Sequence, residues 1–250
     1  MADLELQPGA VPEPRPLHDP RPLYIELCGV AGVGKSTLAS HLRRSMPDRR
    51  FFRRDRRQES GLRLLRQKDG PADRSRAFRD LFRYILIERR AIFVSAWRRA
   101  RFIVGVPARR DWLGSGHVLL LDEGPLTYLV TLGGYGPAWA GWWRILVPDP
   151  REIHAVFIFL AGSPAVVDER VARRARPHKF RVGRTGKEGI TRAHRMEGQR
   201  FWYERLRAEG VDALWLETDD LEPEEVHARV KAYLGRVRPD LAAAGSGAND

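Results

Sequence analysis

The chain has 250 residues, 43% of them hydrophobic, which is enough for one large core and requires no second domain. Its formal charge of +12 would suit nucleic-acid binding, but the excess is carried by arginines spread along the chain, so no nucleic-acid partner is expected. The single cysteine, Cys28, excludes an intramolecular disulfide and suits a reducing cytoplasm.

The two ends of the chain differ in composition from the rest. Residues 1–21 are rich in proline and lack the apolar centre of a signal peptide, and residues 239–250 are mostly small and polar. No apolar stretch approaches the roughly 18 residues that a membrane-spanning helix needs. We therefore expect disordered tails at 1–21 and 239–250, a cytoplasmic folded body at 22–238, and no membrane partner.

The first predicted element is a strand at 23–28 that runs through a glycine-rich loop into a helix. The loop reads Gly29-Val30-Ala31-Gly32-Val33-Gly34-Lys35-Ser36-Thr37. Glycines at its first and sixth positions let backbone N–H groups surround an anion where side chains would collide with it. The helix that begins near Lys35 points the positive end of its dipole at the same anion. This arrangement is typical of a nucleotide triphosphate site.

The residues that close this loop have separate predicted roles. Lys35 reaches the β- and γ-phosphates, and the hydroxyl of Ser36 binds Mg²⁺. The expected cofactors are therefore ATP and Mg²⁺, and the whole loop from Gly29 to Thr37 is the predicted cofactor-binding segment.

Apolar residues recur at spacings of three and four through 77–101, which predicts one long helix with a core-facing stripe. Arg89 falls inside that stripe. A guanidinium there needs an anionic partner, either a carboxylate of the protein or a phosphate of a substrate.

The next informative element is an apolar strand at 117–122 that ends in Asp122 and Glu123. In doubly wound sheets ligands bind beyond the carboxyl ends of the strands, so Asp122 is expected to face the phosphate loop. One carboxylate could hold the water shell of Mg²⁺, and the other could orient or deprotonate an attacking hydroxyl or water.

An arginine-dense segment follows at 163–187. Arg170, Arg173 and Arg174 share one helix face, because they are three and four residues apart. A basic loop with two glycines follows at 178–187. We predict a lid over about 163–190 that closes on a polyphosphate and stabilises the transferring phosphoryl group. A solvated basic helix is the alternative.

Short apolar runs alternate with longer helical patterns along the body. This alternation predicts an α/β fold in three layers, with a mostly parallel sheet and helices on both faces. The predicted strands are 23–28, near 50–53, 117–122, 154–160 and 211–217. The predicted helices are 35–46, 77–101, near 125–132, 164–176, 191–209 and 222–235.

The loop, the acidic strand end, the arginine-rich segment and the last strand and helix together resemble the P-loop nucleoside and nucleotide kinases, thymidylate kinase and the deoxynucleoside kinases in particular. The resemblance covers about 22–235. It implies a three-layer P-loop kinase fold and transfer of the γ-phosphoryl group of ATP to a small-molecule acceptor, a nucleoside or nucleotide.

The resemblance also implies roles for single residues. Asp122 matches the family carboxylate at the reaction centre, whereas Glu123 stands where the family has an arginine. Arg89 is implied as an acceptor contact, and Arg57 lies where family members begin to build the acceptor pocket. The predicted catalytic residues are Lys35, Asp122, Glu123, Arg170 and Arg174, and the predicted metal ligands are Ser36 and Asp122.

Two other functions stay open at this level. An Asp-Glu strand end also resembles the Walker B of ATPases, in which the glutamate activates water, so Asp122 and Glu123 could serve a switch that hydrolyses a nucleotide. The third candidate is a basic nucleic-acid-binding protein that uses a nucleotide triphosphate as a ligand. The pattern does not choose between ATP and GTP, and it allows a homodimer.

Overall fold

A five-stranded sheet organises the described part of the computed structural model, which comprises residues 21–46, 50–52, 72–88, 92–106, 117–173 and 192–243. The strands are β1 (Leu23–Cys28), β2 (Arg50–Phe52), β3 (His117–Leu121), β4 (His154–Ala161) and β5 (Asp212–Glu217). All the pairings are parallel, and the order is β2-β3-β1-β4-β5. After β1 the chain first adds β2 and β3 on one side of β1 and then β4 and β5 on the other, so ligands are expected at the carboxyl end of β1, where the strand order changes direction.

Helices cover both faces of this sheet. They are α1 (Lys35–Ser45), α2 (Ala72–Ile87), α3 (Phe93–Gly105), α4 (Pro125–Thr131), α5 (Trp143–Leu146), α6 (Pro164–Ala172), α7 (Arg192–Ala208), α8 (Pro223–Val237) and α9 (Asp240–Ala243), with a 3-10 helix at Pro137–Trp142. None of the described helices is long and apolar enough to cross a membrane.

Successive side chains of β1 enter two separate cores. Leu23, Ile25 and Leu27 pack with residues of α1 and α8, whereas Tyr24 and Cys28 pack with residues of α3, α4 and α7. Alternation along a strand between two covered faces produces this division. The predicted α/β fold class, with a parallel sheet between two helical layers, is therefore confirmed. Cys28 is a free, buried thiol, as expected from its apolar strand.

The single helix predicted at 77–101 is wrong, because the structure has two helices there. Helix α2 ends at Ile87, and α3 begins after Ile92, whose backbone is extended. The buried residues Ile85 and Ala96 are 11 residues apart, which is close to three helical turns, so the apolar period continues across the break. Ile92 and Phe93 were expected in the buried stripe but are 76% and 60% exposed.

The C-terminal end of the folded body also differs from the prediction. The tail was predicted to begin at 239, but α9 follows, and its Leu241 packs in the same core as α8. Arg238 forms a buried ion pair with Asp240 across this junction, at 2.7 Å. The small and polar composition of 239–250 did not indicate this short helix, which contributes one apolar residue to the core and follows a buried ion pair.

Candidate active site

The phosphate-binding loop leaves β1 at the carboxyl edge of the sheet and enters α1. Gly32 and Gly34 both have φ of +102°, which side-chain-bearing residues rarely adopt. A Cβ atom on Gly32 would lie 2.7 Å from Cγ2 of Val171 and 3.0 Å from Cγ1 of Val167. Helix α6 therefore packs directly on the loop, and glycine is required there both by its backbone conformation and by the space.

Lys35 closes the loop on itself. Its Nζ donates to the carbonyl oxygens of Gly29, at 2.7 Å, and Val30, at 3.0 Å. Gly34, at the N-cap of α1, has no side chain that could cap the helix. The N–H groups of the first turn and the Lys35 ammonium therefore form a positively polarised concavity.

Asp122 lies at the same edge, just after β3. The Ser36 hydroxyl donates to Oδ2 of Asp122 across 3.4 Å, and both side chains are exposed. This hydroxyl and this carboxylate are the two residues predicted as metal ligands. The structure brings Lys35, Ser36 and Asp122 together, although Ser36 and Asp122 are 86 positions apart in the chain.

Arg170, a predicted catalytic residue, has different contacts. Its guanidinium donates to Oγ1 and the carbonyl oxygen of Thr218, at 3.2 and 2.7 Å, and to the carbonyl oxygen of Asp219. Asp219 in turn accepts from the backbone N–H of Ser163, at the start of α6. These contacts favour a role in fixing α6 to the end of β5, and a catalytic role for Arg170 stays a prediction.

Several predicted residues lie outside the described part of the chain. They are Arg57, Arg89 and Arg174, together with the basic loop at 178–187 and most of the predicted lid at 163–190. Their acceptor-binding and phosphate-binding roles stay predictions. Within the described segment, Arg173 forms an exposed ion pair with Glu169 of the same helix.

Arg195, on α7, is a site residue that the sequence reasoning missed. Within the described chain its Nε is buried and has no hydrogen-bond partner. Burial is the main cause that lowers the pKa of Arg195; the nearby Arg192 lowers it further, and the Glu123 carboxylate opposes them. The charge of Arg195 therefore interacts with the carboxylate of Glu123 in the turn after β3. Nothing distinguishes it in sequence from the other arginines of this arginine-rich chain.

Gln199 lies one further turn along α7 and holds the start of the phosphate loop. With its amide oxygen turned toward the loop, it accepts from the N–H groups of Gly29, at 3.2 Å, and Val30, at 3.3 Å. The side chain is 3% exposed, so these contacts are shielded from water. Helix α7 therefore contacts the loop through Gln199, and the charge of its Arg195 interacts with that of Glu123 in the acidic turn.

Glu26 is the third residue that was missed, and here a signal existed. It is the one charged residue in the otherwise apolar strand β1, and it is completely buried. Burial raises the pKa of Glu26 to about 7, although hydrogen bonds from the Thr127 backbone and the Tyr24 hydroxyl partly oppose that rise. A charged residue inside a buried strand needs partners, and this could have marked the position from sequence.

The described residues fit a magnesium-bound nucleotide triphosphate. Gly29, Gly32 and Gly34 have positive φ and no side chains that could collide with phosphates, and the uncapped start of α1 and Lys35 supply positive charge at one end of the loop. Mg²⁺ usually keeps several waters and binds one or two protein groups plus substrate phosphates, so Ser36 and Asp122 would suffice. Among the described residues, no group of three or more His, Cys, Asp or Glu suited to a metal occurs.

Comparison with known proteins gives matches to solved structures only. No protein-family model and no curated protein matches the chain. A deoxyadenosine kinase from M. mycoides matches with 12% identity and a TM-score of 0.44, covering 86% of this chain and 100% of that one. The thymidylate kinase from Candida albicans matches with 14% identity and a TM-score of 0.47, covering 88% and 94%. The shikimate kinase from Bacteroides thetaiotaomicron matches with 16% identity and a TM-score of 0.38, covering 85% and 98%.

The strand order and the position of the loop agree with the P-loop kinase fold that the sequence resemblance implies. Because every identity quoted is below 25% and every TM-score below 0.5, the activity has to be inferred from the residues of this chain itself.

Proposed function

We propose that this protein is an ATP-dependent phosphotransferase that transfers the γ-phosphoryl group, with Mg²⁺, to a small acceptor, a nucleoside or nucleotide. The observation that carries the proposal is the junction of the loop with the strand end, where Ser36 lies 3.4 Å from Asp122. A phosphate loop alone binds nucleotides, but a carboxylate beside its serine adds a second group for the metal or for an attacking hydroxyl.

Bound Mg·ATP would supply the transferable phosphoryl group and a metal that neutralises its charge. Lys35 would exchange its two carbonyl contacts for phosphate oxygens, which are stronger partners for an ammonium. Ser36 and Asp122 would hold the metal side, or Asp122 would accept the proton of the acceptor hydroxyl. Gln199 would keep the loop in place by holding the N–H groups of Gly29 and Val30.

Arg195 would bind the negative charge on the acceptor side of the transferring group. Its buried Nε has an unused hydrogen-bonding capacity within the described chain, and leaving such a donor unpaired costs about 1–3 kcal/mol. A phosphate oxygen would satisfy it with a charge-assisted hydrogen bond. A phosphorylated acceptor or the transferring phosphoryl group itself would provide that oxygen.

The neighbourhood of Glu123 favours transfer over simple hydrolysis. In a hydrolysing switch Glu123 would activate water, but here the Arg195 guanidinium lies within electrostatic reach of its carboxylate. Opposite charges at this range attract each other. We therefore infer that Glu123 balances the charge of Arg195 and does not activate water.

The proposal is tested by measuring ADP formation from ATP and Mg²⁺, with and without a panel of nucleosides, nucleotides and sugars. We expect at least one acceptor to raise turnover by about tenfold or more over the rate without acceptor. The Lys35→Ala variant should lose about 10²-fold or more of that activity, whereas Lys231→Ala, an exposed change on α8, should retain it. ATP consumption that no acceptor stimulates, or full activity in folded Lys35→Ala, would overturn the proposal.

A further inference from the structure

Glu26 lies in the middle of the central strand, where burial of a carboxylate is energetically unfavourable. Its neighbours in register are Leu121 on β3 and Phe157 on β4, and its side chain has no exposed surface. The functions assigned above to the phosphate loop and the acidic turn do not use it. Burial of a carboxylate is tolerated only with hydrogen-bond partners, so its contacts should show what the group does.

Those partners lie on β1 itself and at the start of α4. Oε2 of Glu26 accepts from the Tyr24 hydroxyl at 2.8 Å, and Oε1 accepts from the backbone N–H of Thr127 at 3.0 Å. Thr127 is the third residue of α4, and the N-cap residue, Gly124, has no side chain. The Glu26 carboxylate therefore takes the place of the capping side chain that α4 lacks.

The turn before α4 also lies directly on this carboxylate. A Cβ atom on Gly124 would come within 2.3 Å of Cδ of Glu26. Gly124 follows Asp122 and Glu123 immediately, so the backbone that carries the acidic pair rests on the Glu26 side chain. Three residues after Glu26, the same strand enters the phosphate loop at Gly29.

We propose that Glu26 is a positioning residue, which holds the Asp122-Glu123 turn in register with the phosphate loop by capping α4 from the central strand. This inference rests on the proposed function, because it assigns Asp122 to the metal side of the site. What this role requires is a hydrogen-bond acceptor for the backbone N–H of Thr127, at the start of α4. An acceptor at this position fixes Asp122 relative to Ser36 without touching the nucleotide, the metal or the acceptor.

The test measures binding of a non-hydrolysable ATP analogue by calorimetry, in excess EDTA and at a series of Mg²⁺ concentrations. Glu26→Leu removes the hydrogen-bond acceptor. Mg²⁺ is expected to increase the affinity for the ATP analogue, and in this variant the Mg²⁺ concentration that gives half of that increase should be about tenfold higher. Its affinity in EDTA should stay within about twofold, because the loop itself is intact. Glu26→Gln keeps an oxygen for Thr127 and should behave like the wild type.

Two further variants separate positioning from loss of stability. Ile25→Ala removes an equally buried side chain from the opposite face of β1, so it should lower the melting temperature without changing the Mg²⁺ requirement. Gly124→Ala disturbs the same contact from the turn, where the backbone φ of −104° accepts alanine. It should reproduce the Mg²⁺ effect even if Glu26→Leu does not fold.

Failure of this inference is distinguishable from failure of the proposed function. If the wild type binds no nucleotide, or if Asp122→Asn keeps the full Mg²⁺ effect, the proposed function is overturned and this inference with it. If Asp122→Asn loses the effect while Glu26→Leu and Gly124→Ala retain it, only the role of Glu26 is overturned. If Ile25→Ala raised the Mg²⁺ requirement as much as Glu26→Leu does, the role of Glu26 would also be overturned. The change would then come from a general loosening of β1.

Discussion

The Ser36 hydroxyl lies 3.4 Å from Oδ2 of Asp122, which joins the start of α1 to the end of β3 across the carboxyl edge of the sheet. Glu123 is the next residue, and its carboxylate interacts electrostatically with Arg195 of α7. The two neighbouring carboxylates therefore interact with different groups, and their removal should have different effects.

For a kinase, we expect Asp122→Asn to lower acceptor-dependent turnover by about 10²-fold or more, because the metal-side carboxylate is lost. Glu123→Gln should cost about tenfold or less. Both rates are read as ADP formation with and without acceptor, and melting temperatures control for folding. If only Glu123→Gln is inactive, and hydrolysis does not depend on acceptor, the protein is an ATPase.

Gly32 is predicted to tolerate no other residue, because an added side chain would collide with α6 and because the backbone φ is positive. Gly32→Ala combines an unfavourable φ of +102° with contacts of 2.7 Å to Val171 and 3.0 Å to Val167. We expect it to lower the free energy of unfolding by about 2 kcal/mol or more and to weaken nucleotide binding at least tenfold. Gly141→Ala is the matched control, because no atom lies within 4 Å of its added Cβ. Equal stability and equal nucleotide binding in the two variants would contradict the close packing and the backbone conformation described for Gly32.

Arg195 should matter for activity more than for folding. Arg195→Met removes a buried donor that has no partner in the described segments, so we expect the melting temperature to stay the same or to rise, while acceptor-dependent kcat falls about tenfold or more. Arg207→Met, an exposed change on the same helix, should leave both unchanged. A lower melting temperature with unchanged kcat would show that Arg195 is structural.

Glu26 should make the stability of the protein depend on pH. Its pKa is about 7 in the folded protein against 4.5 for an unburied glutamate, so the folded state holds this proton more tightly than the unfolded state does. The stability contribution is therefore full below about pH 4.5 and falls as pH rises toward 7, by about 3 kcal/mol in total. Tyr24 and Cys28 are titratable groups beside Glu26, and burial raises the pKa of both well above this range.

The check is chemical unfolding at pH 5 and at pH 8 for the wild type and Glu26→Gln. Because the amide cannot ionise, the wild type should lose stability relative to Glu26→Gln as pH rises. Glu204→Gln, an exposed change on α7, should follow the wild type at both values. A wild type whose stability parallels that of Glu26→Gln would show that Glu26 keeps the same protonation state in folded and unfolded chains over this range.

Local patterns in the sequence were enough to predict the strand, loop and helix from Leu23 to Ser45. The glycines and Lys35 act within one short segment, so their roles depend on neighbours in sequence. The place of Asp122 and Glu123 at the end of β3 was also predictable, because a strand buried on both faces ends where polar residues begin. Parallel pairing then brings that end to the edge where the loop lies.

Contacts between distant segments were decided only by the tertiary structure. Glu26 reaches Thr127 across 101 residues, and Gln199 reaches Gly29 from α7, where the neighbouring Gly198 lies close to Tyr135 and Val130. Which face of α7 meets the loop depends on the packing of three helices, and no spacing within α7 encodes it. The break between α2 and α3 was hidden for a related reason: an 11-residue interval preserves the helical period, so the pattern of buried residues is the same with one helix or two.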